Sequence, residues 1–364
     1  MQISVNDFIK TGLLVAIIDK KIVYIVADVN LLVMPVLLKR GVSLIPGILL
    51  ILITSAQLPK NNKPKSASKK ANPVARKVSA QTVGNTLLWQ ISGNGLKKPS
   101  YIFGTMHLLC ADDARLSDNL KKAVRESDQI YFEIDLDDMT QLMSTMKYIR
   151  MNDNTKLSDL LPDEEYQRIK KYFNGHPSMI PFAMMERFKP YMLTSLISES
   201  GIGCESTNGM EMSIMDEAKK SNKEIKGLET TQFQAGLFDS IPYEKQAKEL
   251  LNYIDSIDKY NKSTAELVAV YKNQDLKKIE ELTTRSEAGI DQYLDLLIYD
   301  RNRRWMQSLN FALRTKPTLI AVGAGHLPGE KGMLELLKKA GFKLKPISNI
   351  TPVLKNSEGE TKST

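Results

Sequence analysis

The chain has 364 residues, 42% of them hydrophobic and 25% charged, and these are ordinary proportions for a globular protein. Its net charge of +8 is unevenly distributed, because residues 1–82 hold 12 basic and 3 acidic residues whereas the remainder holds 38 basic and 39 acidic ones. The part that is predicted to fold is therefore nearly neutral, which excludes a nucleic-acid-binding face built of clustered lysine and arginine.

Residues 1–56 are predicted to be a signal peptide or a membrane anchor. Lys39-Arg40 precede an apolar run over residues 42–53, and the small residues Thr54-Ser55-Ala56 follow it. This order of basic, apolar and small residues is typical of a secretory signal, and the run is shorter than the roughly 20 residues that span a membrane. We therefore expect an exported protein that is periplasmic, secreted or membrane-tethered.

An uncleaved anchor is the alternative for this segment, because residues 12–18 and 22–38 are apolar as well. Met34 could begin an ordinary signal peptide, and residues 1–33 would then lie outside the natural product. In either case the sequence predicts contact with a membrane only through the N-terminal segment.

Two polar segments flank the predicted folded domain. Residues 57–82 are rich in Lys, Ser, Ala, Asn and Pro and contain one leucine and no aromatic residue. Such a segment cannot bury enough apolar surface to offset the entropy of ordering it. We predict a flexible basic linker there, an α/β domain over residues 83–350 and a disordered tail over residues 351–364.

Within the domain, stretches rich in β-branched and aromatic residues alternate with helical patterns. The predicted strands cover residues 86–92, 101–104, 129–134, 224–229, 317–322 and 343–347. The predicted helices cover residues 116–124, most of 139–200, 209–220, most of 243–314 and 332–340, with a capping box over Ser263–Glu266. This order predicts an α/β fold with a central β-sheet flanked by helices and a large helical insertion between two sheet-forming portions.

The chain has three histidines, and two of them, His107 and His326, follow a predicted strand in the same Gly-x-x-His frame. Two further strands lead to Glu133 and Glu229. Sites in open α/β sheets form at the carboxyl ends of the strands, so we expect these two imidazoles and two carboxylates to converge. The alternative is that they are ordinary turn and strand-end residues.

Arg301 is predicted to lie on the buried face of a helix. Apolar residues at positions 294, 297, 298, 305 and 309 form one stripe that includes Arg301. A buried guanidinium needs a carboxylate or a ligand, so Arg301 is a candidate for holding a substrate; the alternative is that it snorkels along the edge of the stripe. Asn302, beside the stripe, and Asp135, two residues after Glu133, are secondary candidates.

The two cysteines, Cys110 and Cys204, are too few for a disulfide scaffold and lack Cys-x-x-Cys metal spacing. In an oxidising compartment they are candidates for a single disulfide, which would fix the loop just after His107. The alternative is a pair of unbonded, buried thiols.

These motifs, taken together, resemble the TraB/PrgY/GumN family, which includes the Tiki metalloproteases. In chain order they are Gly-Thr-Met-His107, Glu133-Ile-Asp135, Gly-Leu-Glu229-Thr, Arg301-Asn302-Arg303-Arg304-Trp305 and Gly-Ala-Gly-His326. The resemblance spans residues 86–347 and implies an α/β domain with divalent-metal-dependent peptide hydrolysis, Mn²⁺ or Co²⁺ being favoured. It also implies a role for Glu211, because that family position often carries an acidic residue, whereas Asp300 departs from the usual glutamate.

The leading hypothesis is an exported metal-dependent hydrolase, a peptidase that uses a metal-activated water on a peptide or protein substrate. His107 and His326 would bind the metal, one of Glu133 and Glu229 would be a further ligand, and the other would be the general base. Arg301 would stabilise the oxyanion or anchor the substrate. Mixed nitrogen and oxygen ligands suit Mn²⁺ or Zn²⁺, and the resemblance adds Co²⁺.

Two alternatives remain open at this point. One is a non-catalytic protein of the same fold that binds haem, a metal or a peptide, and the other is an esterase of the erythromycin-esterase type. The acidic groups at the strand ends favour a hydrolytic metal over haem. The third histidine, His176, is predicted in a surface loop without a role, and the sequence predicts no oligomeric state.

Overall fold

The computed structural model describes residues 13–18, 21–26, 85–176, 180–204, 206–285 and 293–351. Apart from residues 13–18 and 21–26, the signal or anchor predicted over residues 1–56 lies outside the described residues, as do the linker over 57–82 and the tail from residue 352 onward. The chain divides into two compact units, Met1–Leu44 and Ile45–Thr364. In the first unit, strands β1 (Leu13–Ile18) and β2 (Lys21–Val26) pair in an antiparallel hairpin.

A six-stranded mixed sheet organises the second unit. Its strands are β3 (Leu88–Ser92), β4 (Ser100–Thr105), β6 (Gln129–Ile134), β8 (Glu224–Glu229), β9 (Thr318–Gly323) and β10 (Lys343–Ile347), in the spatial order β10-β3-β4-β9-β6-β8. β10, β3 and β4 pair antiparallel, whereas β4, β9, β6 and β8 run parallel. A separate two-stranded ladder joins β5 (Leu109–Cys110) to β7 (Thr207–Asn208).

The described residues form thirteen α-helices that surround the sheet. They are α1 (Asp118–Glu126), α2 (Met139–Tyr148), α3 (Leu157–Leu160), α4 (Asp163–Gly175), α5 (Phe182–Met185), α6 (Pro190–Ser200), α7 (Met210–Lys220), α8 (Thr231–Gly236), α9 (Tyr243–Asp255), α10 (Ile257–Lys272), α11 (Leu276–Thr284), α12 (Asp300–Thr315) and α13 (Met333–Lys339). Among them, none combines the length and apolarity that a membrane span needs. The predicted α/β fold, with helical segments inserted between sheet-forming portions, is confirmed.

Alternate residues of the central strands pack into two apolar cores, one on each face of the sheet. Leu319 and Ala321 of β9 belong to the core that α1 and α7 cover. Ile320 and Val322 belong to the core that α12 and α13 cover. All residues of β4 and β9 are buried, as expected of central strands with helices packed on both faces. The loops at the edge of the sheet are therefore attached to strands that are packed on both faces.

The prediction of a capping box at Ser263 is wrong. Helix α10 runs without a break through this position, and its N-cap is Ser256. Ser263 donates instead from Oγ to the carbonyl of Lys259, one turn earlier, at 3.2 Å. A serine hydroxyl inside a helix commonly bonds back in this way, so the Ser-x-x-Glu pattern does not by itself mark a helix start.

Candidate functional site

Four parallel strands end at one edge of the sheet, and each brings one predicted side chain there. Glu133 is the penultimate residue of β6 and Glu229 is the last residue of β8. His107 and His326 follow β4 and β9 within one short turn. The common direction of these strands places both imidazoles and both carboxylates in one buried cluster.

Arg301 lies at the centre of this cluster. It is the second residue of α12, and this helix follows directly on a π-helical turn over Asp295–Tyr299, an irregularity that is frequent at functional sites. Its fully buried guanidinium donates from Nη2 to Glu133 Oε2 at 2.6 Å and from Nε to Glu229 Oε1 at 2.9 Å. Burial alone would lower the pKa of Arg301, but these two carboxylates outweigh burial and raise it.

Glu133 is the carboxylate that faces the histidines. Its Oε1 accepts the backbone N–H of Gly323 at 2.8 Å and lies 3.7 Å from Nε2 of His326. Burial favours the neutral acid, but the charge of Arg301 and the nearby imidazoles outweigh burial and lower the pKa of Glu133 to about 2. Glu133 is therefore ionised at neutral pH, with Oε1 on the side of the imidazoles.

Glu229 is enclosed by hydrogen-bond donors. Its Oε1 accepts from Nε and Nη2 of Arg301 and from Nε2 of Gln234, and its Oε2 accepts the indole N–H of Trp305 at 3.0 Å. The side chain is 4% exposed. Because four N–H groups share its two oxygens, Glu229 acts as the counter-ion of Arg301 and has little remaining capacity to bind another group.

His326 is held as one tautomer by Asn302. The amide nitrogen of Asn302 donates to the carbonyls of His326 and Lys331, so its Oδ1 is the atom that lies 2.7 Å from His326 Nδ1. Nδ1 must therefore carry the hydrogen, which leaves the lone pair on Nε2. Burial is the main reason that the pKa of His326 falls to about 3, so the ring is neutral.

His107 is paired with Glu211, which projects from the first turn of α7. Nδ1 of His107 lies 2.6 Å from Oε1 of Glu211, but the oxygen is poorly aligned with the ring N–H, and no described residue donates an aligned hydrogen bond to either oxygen. Burial lowers the pKa of His107, whereas the carboxylates of Glu211 and Glu133 outweigh burial and raise it. Glu211, which the sequence suggested only through the resemblance, thus belongs to the cluster.

Gly323 leaves a small space that three of these side chains border. A methyl group at this position would lie 3.2 Å from Glu133 Oε1, 3.7 Å from His326 Cδ2 and 3.9 Å from His107 Nε2. Nδ1 of His326 is hydrogen-bonded to Asn302, and Nδ1 of His107 faces the carboxylate of Glu211. Metal-binding histidines are typically oriented by partners on this side of the ring. The Nε2 atoms and the Glu133 carboxylate are therefore the groups available to a ligand.

The charge of the cluster favours a cation. Among the described residues of the cluster, the carboxylates of Glu133, Glu229 and Glu211 face one guanidinium, that of Arg301. The cluster is therefore formally two charges negative when both imidazoles are neutral, and one charge negative when His107, whose pKa is raised, carries a proton. Uncompensated buried charge is costly, and a divalent ion would remove the surplus. The chemistry of the donors thus fits a divalent metal.

Arg301 also limits how the site can bind a metal. Among the residues that the structure describes, no three His, Cys, Asp or Glu side chains already surround one ion position. Nη1 of Arg301 lies 3.2 Å from Nε2 of His326, so the guanidinium and a metal ion compete for the same lone pair. Metal binding would require a shift of this contact.

Two other predicted features lie beside the cluster. The carboxylate of Asp135 accepts the backbone N–H groups of Asp137 and Asp138 and so holds the turn after β6. Cys110 and Cys204 form a disulfide with their Cα atoms 5.8 Å apart. This bond ties the loop after His107 to the segment that leads to Glu211.

Sequence reasoning missed two residues of the site, Gln234 and Trp305. Trp305 follows Arg301 by one helical turn and its ring lies 4.5 Å from that of His326. A buried indole N–H needs a hydrogen-bond partner, so a tryptophan on the buried stripe could have been predicted to contact a polar group of the site. Gln234 lies on the six-residue helix α8, which is too short to show an amphipathic pattern.

Comparison with known proteins gives a consistent set of matches. A model of the TraB/PrgY/gumN family matches residues 87–346. The Danio rerio protein named Metalloprotease TIKI2 is 23% identical in an alignment of 331 residues that covers 75% of this chain and 63% of that protein. The Amphimedon queenslandica Metalloprotease TIKI homolog is 26% identical over 325 residues, covering 72% and 62% of the two chains.

A human relative gives a similar result. The Homo sapiens protein named Metalloprotease TIKI1 is 23% identical over 334 residues, covering 76% of this chain and 65% of that protein. The chain therefore spans less than two thirds of the length of these relatives. No solved structure matches the chain.

Proposed function

Because the chain belongs to the TraB/PrgY/gumN family, we propose that it is an exported, divalent-metal-dependent peptidase that acts on a peptide or protein substrate. The observation that carries this proposal is the pair of histidines whose rings, together with Glu133, border one space beside Gly323 inside a buried cluster with surplus negative charge. Relatives named metalloproteases support the same class. When bound, the metal would supply Lewis acidity, lowering the pKa of a water and polarising the scissile carbonyl.

We assign His107, His326 and Glu133 as the residues that would hold the metal. His326 is fixed on its Nδ1 side by Asn302, Nδ1 of His107 faces the carboxylate of Glu211, and neutral imidazole is a common metal ligand. Glu133 is preferred to Glu229 because Oε1 of Glu133 faces the imidazoles, whereas Glu229 is occupied by four donors. A carboxylate whose pKa is lowered to about 2 suits a ligand better than a general base. Mn²⁺, Co²⁺ and Zn²⁺ are the candidate ions.

Arg301 would stabilise charge that develops on the substrate. Its Nε and Nη2 groups are committed to Glu229 and Glu133, and Nη1 is shared between the carbonyl of Leu297 and the imidazole of His326. The Nη1 group is thus the donor that a rearranged His326 would release. Preorganised donors of this kind stabilise an oxyanion in a site that excludes water.

Metal analysis and peptide cleavage on the full chain test this proposal. We expect the purified protein to retain about one divalent ion and to cleave members of a peptide library when Mn²⁺, Co²⁺ or Zn²⁺ is supplied. EDTA and the variants His326→Ala and Glu133→Gln should abolish both properties. His176→Ala is the matched control, because His176 is exposed at the C-cap of α4 and contacts Tyr172, far along the chain from the cluster.

Two results would defeat the proposal. One is a wild-type protein that binds none of the three metals. The other is cleavage that is equally fast in wild type, His326→Ala and EDTA-treated samples. Hydrolysis of esters without hydrolysis of any peptide would favour the esterase alternative instead.

A further inference from the structure

Gln234 connects the two carboxylates of the site. It is 7% exposed and lies on α8, directly after the strand that ends in Glu229. Its amide nitrogen donates to Oε2 of Glu133 at 3.1 Å and to Oε1 of Glu229 at 3.2 Å. One NH₂ group has two hydrogens, so each carboxylate receives one of them.

This bridge lets the two carboxylates remain close without adding charge. Arg301 already binds both, on the same oxygens that Gln234 contacts. Charge-assisted hydrogen bonds from the guanidinium and neutral hydrogen bonds from the amide thus fix the same edge of each carboxylate. The remaining oxygens are directed elsewhere, Glu133 Oε1 to the imidazoles and Glu229 Oε2 to Trp305.

The backbone that carries Gln234 is itself well anchored. Thr230 caps α8 through a hydrogen bond from the Phe233 amide to its Oγ1 at 3.1 Å. Thr231 donates from Oγ1 to the carbonyl of Gln141 on α2 at 3.3 Å, and the guanidinium of Arg304 stacks on the Phe233 ring at 4.2 Å. These contacts hold the amide of Gln234 in one place relative to the sheet.

We propose that Gln234 is a positioning residue of the metal site. Its single amide nitrogen orients both glutamates, so that Oε1 of Glu133 faces the histidines while Glu229 stays the counter-ion of Arg301. This inference rests on the proposed function, in which Glu133 is a metal ligand. Gln234 itself neither contacts the metal nor takes part in proton transfer.

The two tryptophans of the chain offer a direct test of this arrangement. In a Trp89→Phe background, emission comes from Trp305 alone, whose indole donates to Glu229 and lies beside His326. Gln234→Met preserves the length of the side chain and removes the donors. Gln234→Glu preserves the shape and places a third carboxylate against Glu133 and Glu229. Gln232→Met, at an exposed position of the same helix, is the matched control.

Metal-free protein is measured first. Both Gln234 variants should shift the emission maximum of Trp305, because Glu229 moves relative to the indole, whereas Gln232→Met should leave the maximum unchanged. Isothermal titration with Mn²⁺ should then show affinity about ten- to hundred-fold weaker for Gln234→Met than for Gln232→Met, the usual effect of losing an outer-shell partner.

The outcomes separate this inference from the proposed function. If wild type binds Mn²⁺ and cleaves peptides while Gln234→Met matches Gln232→Met in emission and affinity, the role of Gln234 is wrong and the function stands. If wild type binds no metal, the proposed function fails, and the emission of the metal-free variants alone decides whether Gln234 orients the glutamates. A loss of unfolding free energy with unchanged emission would show a merely structural role.

Discussion

At the scale of the residue, Asn302 decides which nitrogen of His326 is available. Its two donor contacts to backbone carbonyls fix the amide orientation, and the amide oxygen then fixes the hydrogen on Nδ1. The ring of His326 also packs against Trp305. One neutral side chain thereby sets both the tautomer and the direction of the lone pair.

We predict that Asn302→Leu lowers the affinity for Mn²⁺ by about ten- to hundred-fold, because the outer-shell partner of a metal-binding histidine is lost. Isothermal titration of the full chain measures this change. Asn310→Leu, on the same helix but half-buried, is the control and should bind as wild type does. Unchanged affinity in Asn302→Leu would show that His326 does not bind the metal through Nε2.

Arg301 is the cation that balances Glu133 and Glu229 when no metal is bound. Replacing it with methionine would leave two buried carboxylates uncompensated. We expect Arg301→Met to lose about 3–5 kcal/mol of unfolding free energy, measured by urea denaturation. Arg303→Met, whose exposed partner is Asp300, should lose at most about 1 kcal/mol.

The same pair of variants tests the competition between Arg301 and a metal. Saturating Mn²⁺ should restore part of the lost stability in Arg301→Met, since the ion replaces the missing positive charge. It should stabilise Arg303→Met no more than wild type. A variant Arg301→Met that is as stable as Arg303→Met would contradict the central place of this arginine.

At the scale of the element, the β5–β7 ladder brings Glu211 to His107. Cys110 pairs with Thr207 in this ladder, the disulfide adds a covalent link to Cys204, and the amide of Met210 donates to the carbonyl of Met106 at 3.0 Å. The backbone at Gly209 passes so close to the carbonyl group of His107 that a side chain at position 209 does not fit. The approach of these two segments thus depends on a glycine.

We predict that Gly209→Ala weakens both folding and metal binding. The added methyl group would lie 2.8 Å from the carbonyl oxygen of His107 and 2.9 Å from Oε2 of Glu211, so one segment must move. Overpacking of this kind costs about 1–3 kcal/mol, and it separates Glu211 from His107. Thermal unfolding and Mn²⁺ titration measure the two effects.

Gly236→Ala provides the control for this change. No described atom lies within 4 Å of a methyl group at Gly236, and its backbone φ of −67° suits alanine. We expect this variant to bind Mn²⁺ normally and to be equally or slightly more stable, by about 0.4–1 kcal/mol. If both glycine variants bind Mn²⁺ equally well, the contact of Glu211 with His107 has no part in the site.

The sequence predicted those parts of the site that depend on residues close together in the chain. Strand composition and the Gly-x-x-His frames placed the strands that lead to His107 and His326, and the apolar stripe placed Arg301 on a buried face. Glu211 depends on pairing between β5 and β7, which are almost a hundred residues apart, and no local pattern predicts such pairing. The capping box predicted at Ser263 failed for a different reason. The Ser-x-x-Glu pattern is present in the sequence, but it lies inside a continuous helix and not at a helix start.

At the scale of the whole molecule, the parallel direction of β4, β9, β6 and β8 creates the site. The order of these strands in the sheet differs from their order in the chain, so residues from His107 to His326 meet at one edge. The sequence could predict that each residue ends a strand, but the order of the strands arises from packing on both faces. A metal at this edge would therefore join distant parts of the domain.

Such a metal should stabilise the whole domain. At a concentration of one hundred times its dissociation constant, a ligand that binds only the folded state adds about 2.7 kcal/mol. We expect Mn²⁺ to raise the thermal unfolding temperature of wild type and His176→Ala by several degrees, and EDTA to reverse the change. His107→Ala should show no increase; an equal increase in His107→Ala would place the ion elsewhere.

Anomalous X-ray diffraction from crystals of the protein grown with Mn²⁺ is the most direct test of the proposed metal site. We expect one strong anomalous peak bounded by Nε2 of His107, Nε2 of His326 and the carboxylate of Glu133, with Arg301 moved away from His326 and Gln234 still bridging the two glutamates. A peak at another position, or no peak while Nη1 of Arg301 still contacts Nε2 of His326, would contradict this expectation.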